Sequence, residues 1–340
     1  MARFLVTGGA GYVGSHIVLA LREQGHQVVV IDDLRQGHRQ AVPEDVELVV
    51  ADLADRKRVG EVFAGWKFDG VLHFAALSLV GESMREPMRY MAENLSNTLW
   101  LAEAAVRAEC MNFVLSSTAA LFGFPERLPI DEEANIAPVS AYGESKLMAE
   151  RGLEWASRVH GLRSASLRYF NAAGADPQGR LGEDHNPETH LIPLAINAAL
   201  GVGPALTVFG TDYDTPDGTC IRDYVHVADL ASAHICALEV LKQGRSVRYN
   251  VGNGNGYSVR EVIEMVQRVS GRTVPYVEGP RRPGDPAVLV ASNTKLREET
   301  GWRARHESLE EIVRTAWAWR SRHPQGFDGP TLPASVQSLV

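Results

Sequence analysis

Cysteine is scarce. Cys110, Cys220 and Cys236 are the only three among 340 residues, scattered and without CxxC spacing. That excludes a disulfide framework and a cysteine-based zinc site, so reduced core thiols and no metal are expected. Basic residues are outnumbered: 34 Lys and Arg against 42 Asp and Glu leave a net charge of −8, which argues against nucleic acid as the main partner. No apolar run is long enough to span a bilayer. The first residues enter a strand pattern directly, so no leader is expected and the cytoplasm is the default compartment. Repeats and low-complexity tracts are also lacking. What remains is an ordinary globular composition, 45% hydrophobic and 22% charged, in a chain long enough for one large domain or two modest ones around a sizeable core.

The chain is organised around its first turn, Thr7-Gly8-Gly9-Ala10-Gly11-Tyr12-Val13-Gly14. Arg3-Phe4-Leu5-Val6 before it reads as a buried strand, and residues 12–24 after it as an amphipathic helix. Glycines between a strand and a helix let backbone N–H groups approach a pyrophosphate that a Cβ would block. A second strand, residues 27–31, ends in Asp32-Asp33 and leads into Leu34. A carboxylate there can accept hydrogen bonds from an adenosine ribose and repels a 2′-phosphate, which favours NAD over NADP.

Further strand patterns follow at residues 46–51, 71–76, 113–118 and 164–169, alternating with helical patterns at 54–64, 90–108 and 140–160. Such alternation specifies an α/β fold with a doubly wound parallel sheet, whose ligands lie at the C-terminal strand ends. Those ends carry Asp32, Asp52-Leu53, Phe74-Ala75-Ala76, Ser116 to Thr118, and Phe170-Asn171. Asp52 suits either the adenine amino group or the N-cap of the 54–64 helix. After Asn171 the texture turns to loops rich in Gly, Pro and Asp. Short helices and strands follow, so a boundary is expected there: residues 1–171 bind the dinucleotide and 172–340 mainly bind substrate, with segments crossing back. Residues from Phe327 onward read as a loose tail.

Tyr142-Gly143-Glu144-Ser145-Lys146 carries the chemistry. Tyr142 and Lys146 at i and i+4 share a helix face. An ammonium near a phenol favours the phenolate, as does a cationic nicotinamide, so Tyr142 is expected to act as a base near neutral pH. Thr118, at the end of the preceding strand, can share the substrate's proton or simply cap the strand end.

With these segments the resemblance is clear. The glycine turn, Ser116-Ser117-Thr118-Ala119 and Tyr-x-x-x-Lys are similar to the extended short-chain dehydrogenase/reductase superfamily. His73-Phe74-Ala75-Ala76-Leu77, Leu167-Arg168-Tyr169-Phe170-Asn171, Phe209-Gly210-Thr211-Asp212-Tyr213, Ile221-Arg222-Asp223-Tyr224-Val225-His226 and Arg281-Arg282-Pro283-Gly284-Asp285 resemble, within it, the UDP-galactose 4-epimerases, from residue 3 to about 320. The resemblance implies a Rossmann-type domain with a smaller mixed α/β substrate domain. It implies NAD as a retained cofactor, and interconversion of UDP-glucose and UDP-galactose through a transient 4-keto sugar. Tyr142 would take the 4-hydroxyl proton, Thr118 would bond that oxygen, and Lys146 would hold the nicotinamide ribose.

The resemblance also implies cofactor contacts at Gly8, Gly11, Tyr12, Val13, Gly14, Asp32, Asp33, Leu34, Asp52, Leu53 and Phe74. Others fall at Ala75, Ala76, Ser78, Asn94, Ser116, Tyr142, Lys146 and Phe170. Substrate contacts map onto Thr118, Tyr142, Asn171, Leu191, Phe209, Arg222, Tyr224, Arg282 and Asp285. Arg222 and Arg282 suit a diphosphate clamp. Leu289, four places after Asp285, would lie by the sugar's C2 substituent and disfavour N-acetylated sugars. A homodimer through the 90–108 helix and the helix after Tyr142 is implied as well. Ser78 replaces a frequent lysine, Glu93 a frequent asparagine and Phe122 a frequent tyrosine. A related UDP-N-acetylhexosamine or UDP-pentose epimerase is the alternative. A 4,6-dehydratase would need an Asp-Glu pair where Ala119 and Ala120 stand, and a non-catalytic dinucleotide sensor would lack the Tyr/Lys pair.

Overall fold

Short runs of Val, Ile, Leu and Phe with few polar interruptions make strands buried on both faces, and seven of them form one parallel sheet. In the computed structural model, which describes residues 1–282 and 284–328, the first six strands are β1 (Arg3–Thr7), β2 (Gln27–Asp32), β3 (Glu47–Val50), β4 (Gly70–His73), β5 (Asn112–Thr118) and β6 (Arg163–Tyr169). Seven more follow: β7 (Asn171–Ala173), β8 (Leu206–Phe209), β9 (Ile221–His226), β10 (Val247–Val251), β11 (Gly256–Ser258), β12 (Tyr276–Gly279) and β13 (Val288–Leu289). The large sheet has the order β10-β6-β5-β4-β1-β2-β3, all pairs parallel. The order reverses between β1 and β4, which opens a crevice beyond Thr7 and His73.

Alternate residues of β1 face opposite layers. Phe4 and Val6 pack with Ile17 and Leu21 of α1 (Tyr12–Glu23), and Leu5 packs in a core shared with α2 (Arg56–Gly65). The 90–108 helix expected from the pattern is broken. After α3 (Val80–Ser83) come α4 (Pro87–Tyr90), a π-helical turn over Met91–Ser96, and α5 (Asn97–Arg107). Extra-wide turns of this kind gather at functional sites, and this one holds Asn94. The next helix, α6 (Ala141–His160), starts where Ser140 Oγ accepts the Gly143 N–H at 3.1 Å and stops at Gly161 with φ 73°. A left-handed glycine there is a common helix stop.

Beyond residue 171 the chain divides its loyalty. β9 pairs with β7, β11 and β13, and β8 with β12. Beside these strands, α7 (Leu191–Leu200), α9 (Val259–Ser270) and α11 (Leu309–Arg322) share an apolar core that includes Ile192, Ile196, Val262, Val266 and Ile312. In contrast, α8 (Val227–Lys242) packs in the core of the large sheet with α1, and β10 forms that sheet's edge strand; α10 (Thr294–Thr300) adds Leu296 to the same core. Phe327, where a loose tail is expected to start, is instead held in place. The Phe327 N–H donates to Asp184 at 2.9 Å and its ring meets Trp319 at 5.3 Å; residues 329–340 lie outside the described residues. No described helix is long and apolar enough to cross a membrane.

Candidate active site

The glycine turn shows why each glycine is there. A Cβ on Gly8 (φ 72°) would meet the Ala75 nitrogen at 2.4 Å, and one on Gly14 the Gly8 oxygen at 2.1 Å. Gly8 therefore lets the turn lie against the end of β4, and Gly14 lets α1 dock on the turn. A Cβ on Gly11 would meet only the Gly8 oxygen, at 3.4 Å, so the side it leaves bare is open for a ligand's approach. Gly11 is also the N-cap of α1, with no side chain to cap it and no acid in the first turn. The first N–H groups of the helix are thus unmatched by charge, which suits an anion. These features fit the pyrophosphate of a dinucleotide. Tyr12 contributes only main chain to that cradle, because its hydroxyl donates to the Gly174 carbonyl at 2.7 Å and ties the turn to the second half of the chain. Val13 packs partly against the core.

Asp32 is buried, and its two carboxylate oxygens accept the Ala10 and Leu34 N–H groups, each at 2.9 Å. Burial pushes the carboxyl up from its usual range against these bonds. Each oxygen keeps a second lone pair for a ribose hydroxyl. Leu34 takes a left-handed φ of 60°. Asp33 lies further out and pairs with Arg35 at 2.5 Å; Arg35 also reaches Glu93 at 3.0 Å and Asp52 at 3.7 Å. Arg35 was not singled out in the sequence, though its place among the acids after β2 was a signal. Asp52 does not cap α2: Asp55 does, accepting the Arg58 N–H at 3.0 Å, while the Asp52 carboxylate accepts the Ala54 N–H at 2.8 Å. Leu53 is a core residue and offers main chain alone. Phe74 and Ala75 donate their N–H groups to the Thr7 carbonyl at 2.8 and 3.1 Å, which holds the 74–76 segment beside the turn. Ser78 is exposed.

Asn94 departs from the expected cofactor contact. It is buried, its Oδ1 accepts the Leu77 N–H at 2.8 Å, and its Nδ2 donates to the Leu77 carbonyl at 3.0 Å and to Ser145 Oγ at 3.1 Å. The π turn places this side chain between the β4 loop and α6, so Asn94 positions both rather than reaching outward.

Gly143 explains how Tyr142 meets Thr118. A Cβ on Gly143 would come within 2.5 Å of the Ala120 carbonyl, so only glycine lets α6 press onto the turn that follows β5. The Thr118 hydroxyl then faces the Tyr142 phenol and favours its ionised form, and its oxygen accepts the Ala120 N–H at 3.1 Å. Capping and catalysis are thus compatible in one side chain. Lys146 is buried and donates from Nζ to the Ser116 carbonyl at 3.0 Å. The Ser116 hydroxyl meets that of Tyr169.

The electrostatics differ from the sequence expectation. Burial pushes the Tyr142 phenol up, only partly offset by Thr118, and burial pulls the Lys146 ammonium down to about 8 despite Glu150. In this pocket desolvation outweighs the influence of Thr118 on the phenol. A phenol, a hydroxyl and an ammonium at the strand ends, beside a dinucleotide cradle, can withdraw and return a proton on a hydroxyl-bearing carbon.

A profile described as "NAD dependent epimerase/dehydratase family" matches residues 4–252. This chain belongs to that family. It is 50% identical over 337 residues to the UDP-glucose 4-epimerase of Azospirillum brasilense, covering 99% of this chain and 97% of that protein. UDP-glucose 4-epimerase from Brucella ovis, in complex with NAD, superposes with a TM-score of 0.90 at 44% identity, over 93% of this chain and 98% of that one. The enzyme from Bifidobacterium longum, in complex with NAD⁺ and UDP, gives 0.91 at 35% identity, over 96% and 100%.

The second half of this epimerase/dehydratase family chain gathers the expected substrate residues around β9. Arg222 is half-buried, pairs with Asp285 and donates to the Pro286 carbonyl at 2.7 Å. The Arg282 guanidinium lies 4.1 Å over the Phe209 ring. Its neighbour Arg281 is held by Asp212 at 2.7 Å, which anchors the loop. Asn171 donates to the Asp223 carbonyl at 2.8 Å. Leu191 opens α7 and packs partly against the second core. Tyr224 is buried in that core, so its side chain is structural. Leu289 lies opposite Arg222 in the β13–β9 register and packs against the cluster of Ala119, Phe122 and Ile130, as does Phe170. Both readings of Leu289 thus meet in one place: it packs, and it packs beside the end of β5. Asp223 in the same motif is structural: fully buried, it accepts the N–H groups of Asn253, Gly254 and Ala291.

Proposed function

We propose that this protein is an NAD-dependent UDP-glucose 4-epimerase that interconverts UDP-glucose and UDP-galactose. The carrying observation is the buried Lys146, one helical turn after Tyr142, donating to the Ser116 carbonyl on the strand that ends at Thr118. Gly8, Gly11 and Gly14 hold the pyrophosphate, Asp32 and Asp33 the adenosine ribose, and Lys146 the nicotinamide ribose. When bound, NAD supplies a hydride acceptor for the sugar C4 and a positive charge beside the phenol. Tyr142 takes the 4-hydroxyl proton as the C4–H bond breaks, and Thr118 donates a hydrogen bond to the same oxygen. Arg222 and Arg282 keep the diphosphate in place while the 4-keto sugar turns its other face to the cofactor. As the hydride comes back from the reduced cofactor to the opposite face of C4, Tyr142 returns the proton to the oxygen and the 4-hydroxyl is inverted. Ala119 and Ala120 sit in the turn after Thr118, so that turn offers no acid–base pair for dehydration.

Residues 172–328 mainly serve the nucleotide sugar, with α8 and β10 lent to the first sheet. The protein works in the cytoplasm, a reading supported by its three free cysteines and its bacterial relatives. It pairs as a homodimer through α5 and α6. Exposed Met148, Trp155 and Val159 form a stripe on α6 beside exposed Leu99 of α5, an unusual apolar surface for a monomer. Light scattering that gives the mass of one chain would remove the dimer.

The test of the activity is incubation with UDP-galactose and no added NAD, followed by product analysis. UDP-glucose is the expected product. A 4-keto-6-deoxy sugar would mean a dehydratase, and binding without turnover would mean a sensor.

A further inference from the structure

Glu183, His185, Glu188 and His190 lie on the loop that leads into α7, and none of them enters the chemistry above. Each brings one ligand atom within 4.8 Å of the others. Nδ1 of His185 and Nδ1 of His190 lie 3.2 and 2.6 Å from Glu183 Oε1; they lie 3.9 Å from Glu188 Oε2 and 3.4 Å from Glu188 Oε1, respectively. With metal–ligand bonds of about 2.0–2.1 Å, a tetrahedral site sets its ligands about 3.3 Å apart.

Two further observations favour a cation over a plain ion-pair cluster. Glu183 is more than nine-tenths buried, and two imidazole nitrogens crowd its Oε1 without the geometry of a well-formed N–H···O bond. The ring atoms that can ligate a cation are thus already turned toward one buried oxygen. Glu188 is pre-oriented: its Oε1 accepts the Thr189 and His190 N–H groups at 2.7 and 2.9 Å, which leaves Oε2 to turn inward. Such bonds behind a ligand are the usual support of a metal site.

We propose that these four residues form a structural zinc site. Two imidazoles and two carboxylates make a borderline donor set, which suits Zn²⁺ better than the all-oxygen shells of Mg²⁺ or Ca²⁺. Four protein ligands close the shell, so the ion holds structure and activates no water. The half-exposed His190 leaves an entry path. The loop touches the first half of the chain: the His185 ring meets the Tyr12 ring at 6.1 Å, Gln36 donates to the Asn186 carbonyl at 3.0 Å, and His38 contacts the Asp184 carbonyl at 3.0 Å. Zinc there staples the glycine turn to the start of α7. The expectation of no metal rested on the cysteines alone and overlooked the spacing Glu-x-His-x-x-Glu-x-His. The proposal stands apart from the assigned reaction.

The test uses full-length protein stripped with chelator and dialysed. Zn²⁺ is added and the protein passed over a desalting column for metal analysis; in parallel, Co²⁺ is titrated as a coloured probe. One zinc per chain, a visible Co²⁺ absorption that Zn²⁺ abolishes, and a rise of several degrees in Tm with zinc are expected. His185→Asn and Glu183→Gln should lose the bound zinc and the Co²⁺ absorption. Substoichiometric zinc with no Co²⁺ band in the wild type overturns the proposal. So does one zinc per chain retained by both variants. If the variants do not fold, the wild-type Co²⁺ titration decides alone.

Discussion

Lys146 donates to the carbonyl of Ser116, two residues before Thr118 on the same strand. This bond sets the depth at which α6 lies against β5. It places the ammonium and the phenol of Tyr142 along one strand end, and it does so inside a pocket that strips water from both. The positioning network continues through Asn94, which bonds Ser145 on the intervening turn. Main-chain and side-chain bonds together thus hold Tyr142 and Lys146 at the end of β5.

Removing the phenolic oxygen should therefore leave the frame intact. Tyr142→Phe is expected to keep its Tm within about 2 °C and to retain bound cofactor, yet to lose at least about a hundredfold in kcat, the usual scale for a general base. Thr118→Val should lose activity in the same direction. Lys146→Ala should be severe as well and release the cofactor more readily. Near-normal turnover by the Phe variant would remove Tyr142 from its role.

The depressed Lys146 also carries a pH signature. Its ordinary value is 10.5, and in the fold it falls to about 8. Below about 8 both folded and unfolded chains carry the charge, and the cost of burying it is fully present. Between 8 and 10.5 the unfolded chain binds more protons, so this cost is relieved as pH rises. Lys146→Met lacks the group. The Tm of cofactor-free wild type relative to Lys146→Met should thus climb from pH 8 to 10; a flat difference would place the ammonium in solvent.

Cofactor choice follows from Arg35. Three carboxylates, Asp33, Asp52 and Glu93, already surround it, so it has little charge to offer a 2′-phosphate. Nucleotide extracted from the purified protein should be NAD(H), not NADP(H). Asp33→Ser should free Arg35 and narrow the preference severalfold in competition binding. An NADP-loaded wild type would contradict this account.

Leu289 should govern sugar size. It packs against the Ala119, Phe122 and Ile130 cluster beside the end of β5, and crowding a shaped pocket costs about 1–3 kcal/mol, roughly ten- to hundredfold in kcat/KM. UDP-galactose is expected to be preferred over UDP-N-acetylgalactosamine by that factor, and Leu289→Ser or Leu289→Cys should shrink the gap. Equal wild-type values, or an unmoved ratio in the variants, would show that Leu289 only packs.

Stability should hinge on a pair that the sequence motif concealed. Arg168 and Glu150 are both buried and joined at 2.6 Å, with Ser117 donating to the same carboxylate. Glu150→Gln leaves the guanidinium without its counter-charge, at a cost of about 3–5 kcal/mol. Denaturant unfolding should report that loss, and a change below about 1 kcal/mol would mean that water shields Arg168.

Much of this protein was legible in its sequence because it depends on local pattern. Buried strands, the glycine turn and a helix bearing Tyr142 and Lys146 are written in periods of two and 3.6 and in the need for bare backbone. Thr118 was legible for the same reason, since strand ends in a doubly wound sheet face one crevice. Other features depend on partners far along the chain, and only the tertiary structure decided them. The return of β10 to the first sheet needed long-range pairing with β6. The inward turn of Asn94 needed the β4 loop and α6 in place, and the division of Arg35 among three acids needed the ends of β2 and β3 and the π turn brought together. The upward shift of Tyr142 had the same origin. From the sequence its nearest charge was Lys146, but in the fold burial is what shifts the phenol most, and burial is a property of the assembled structure.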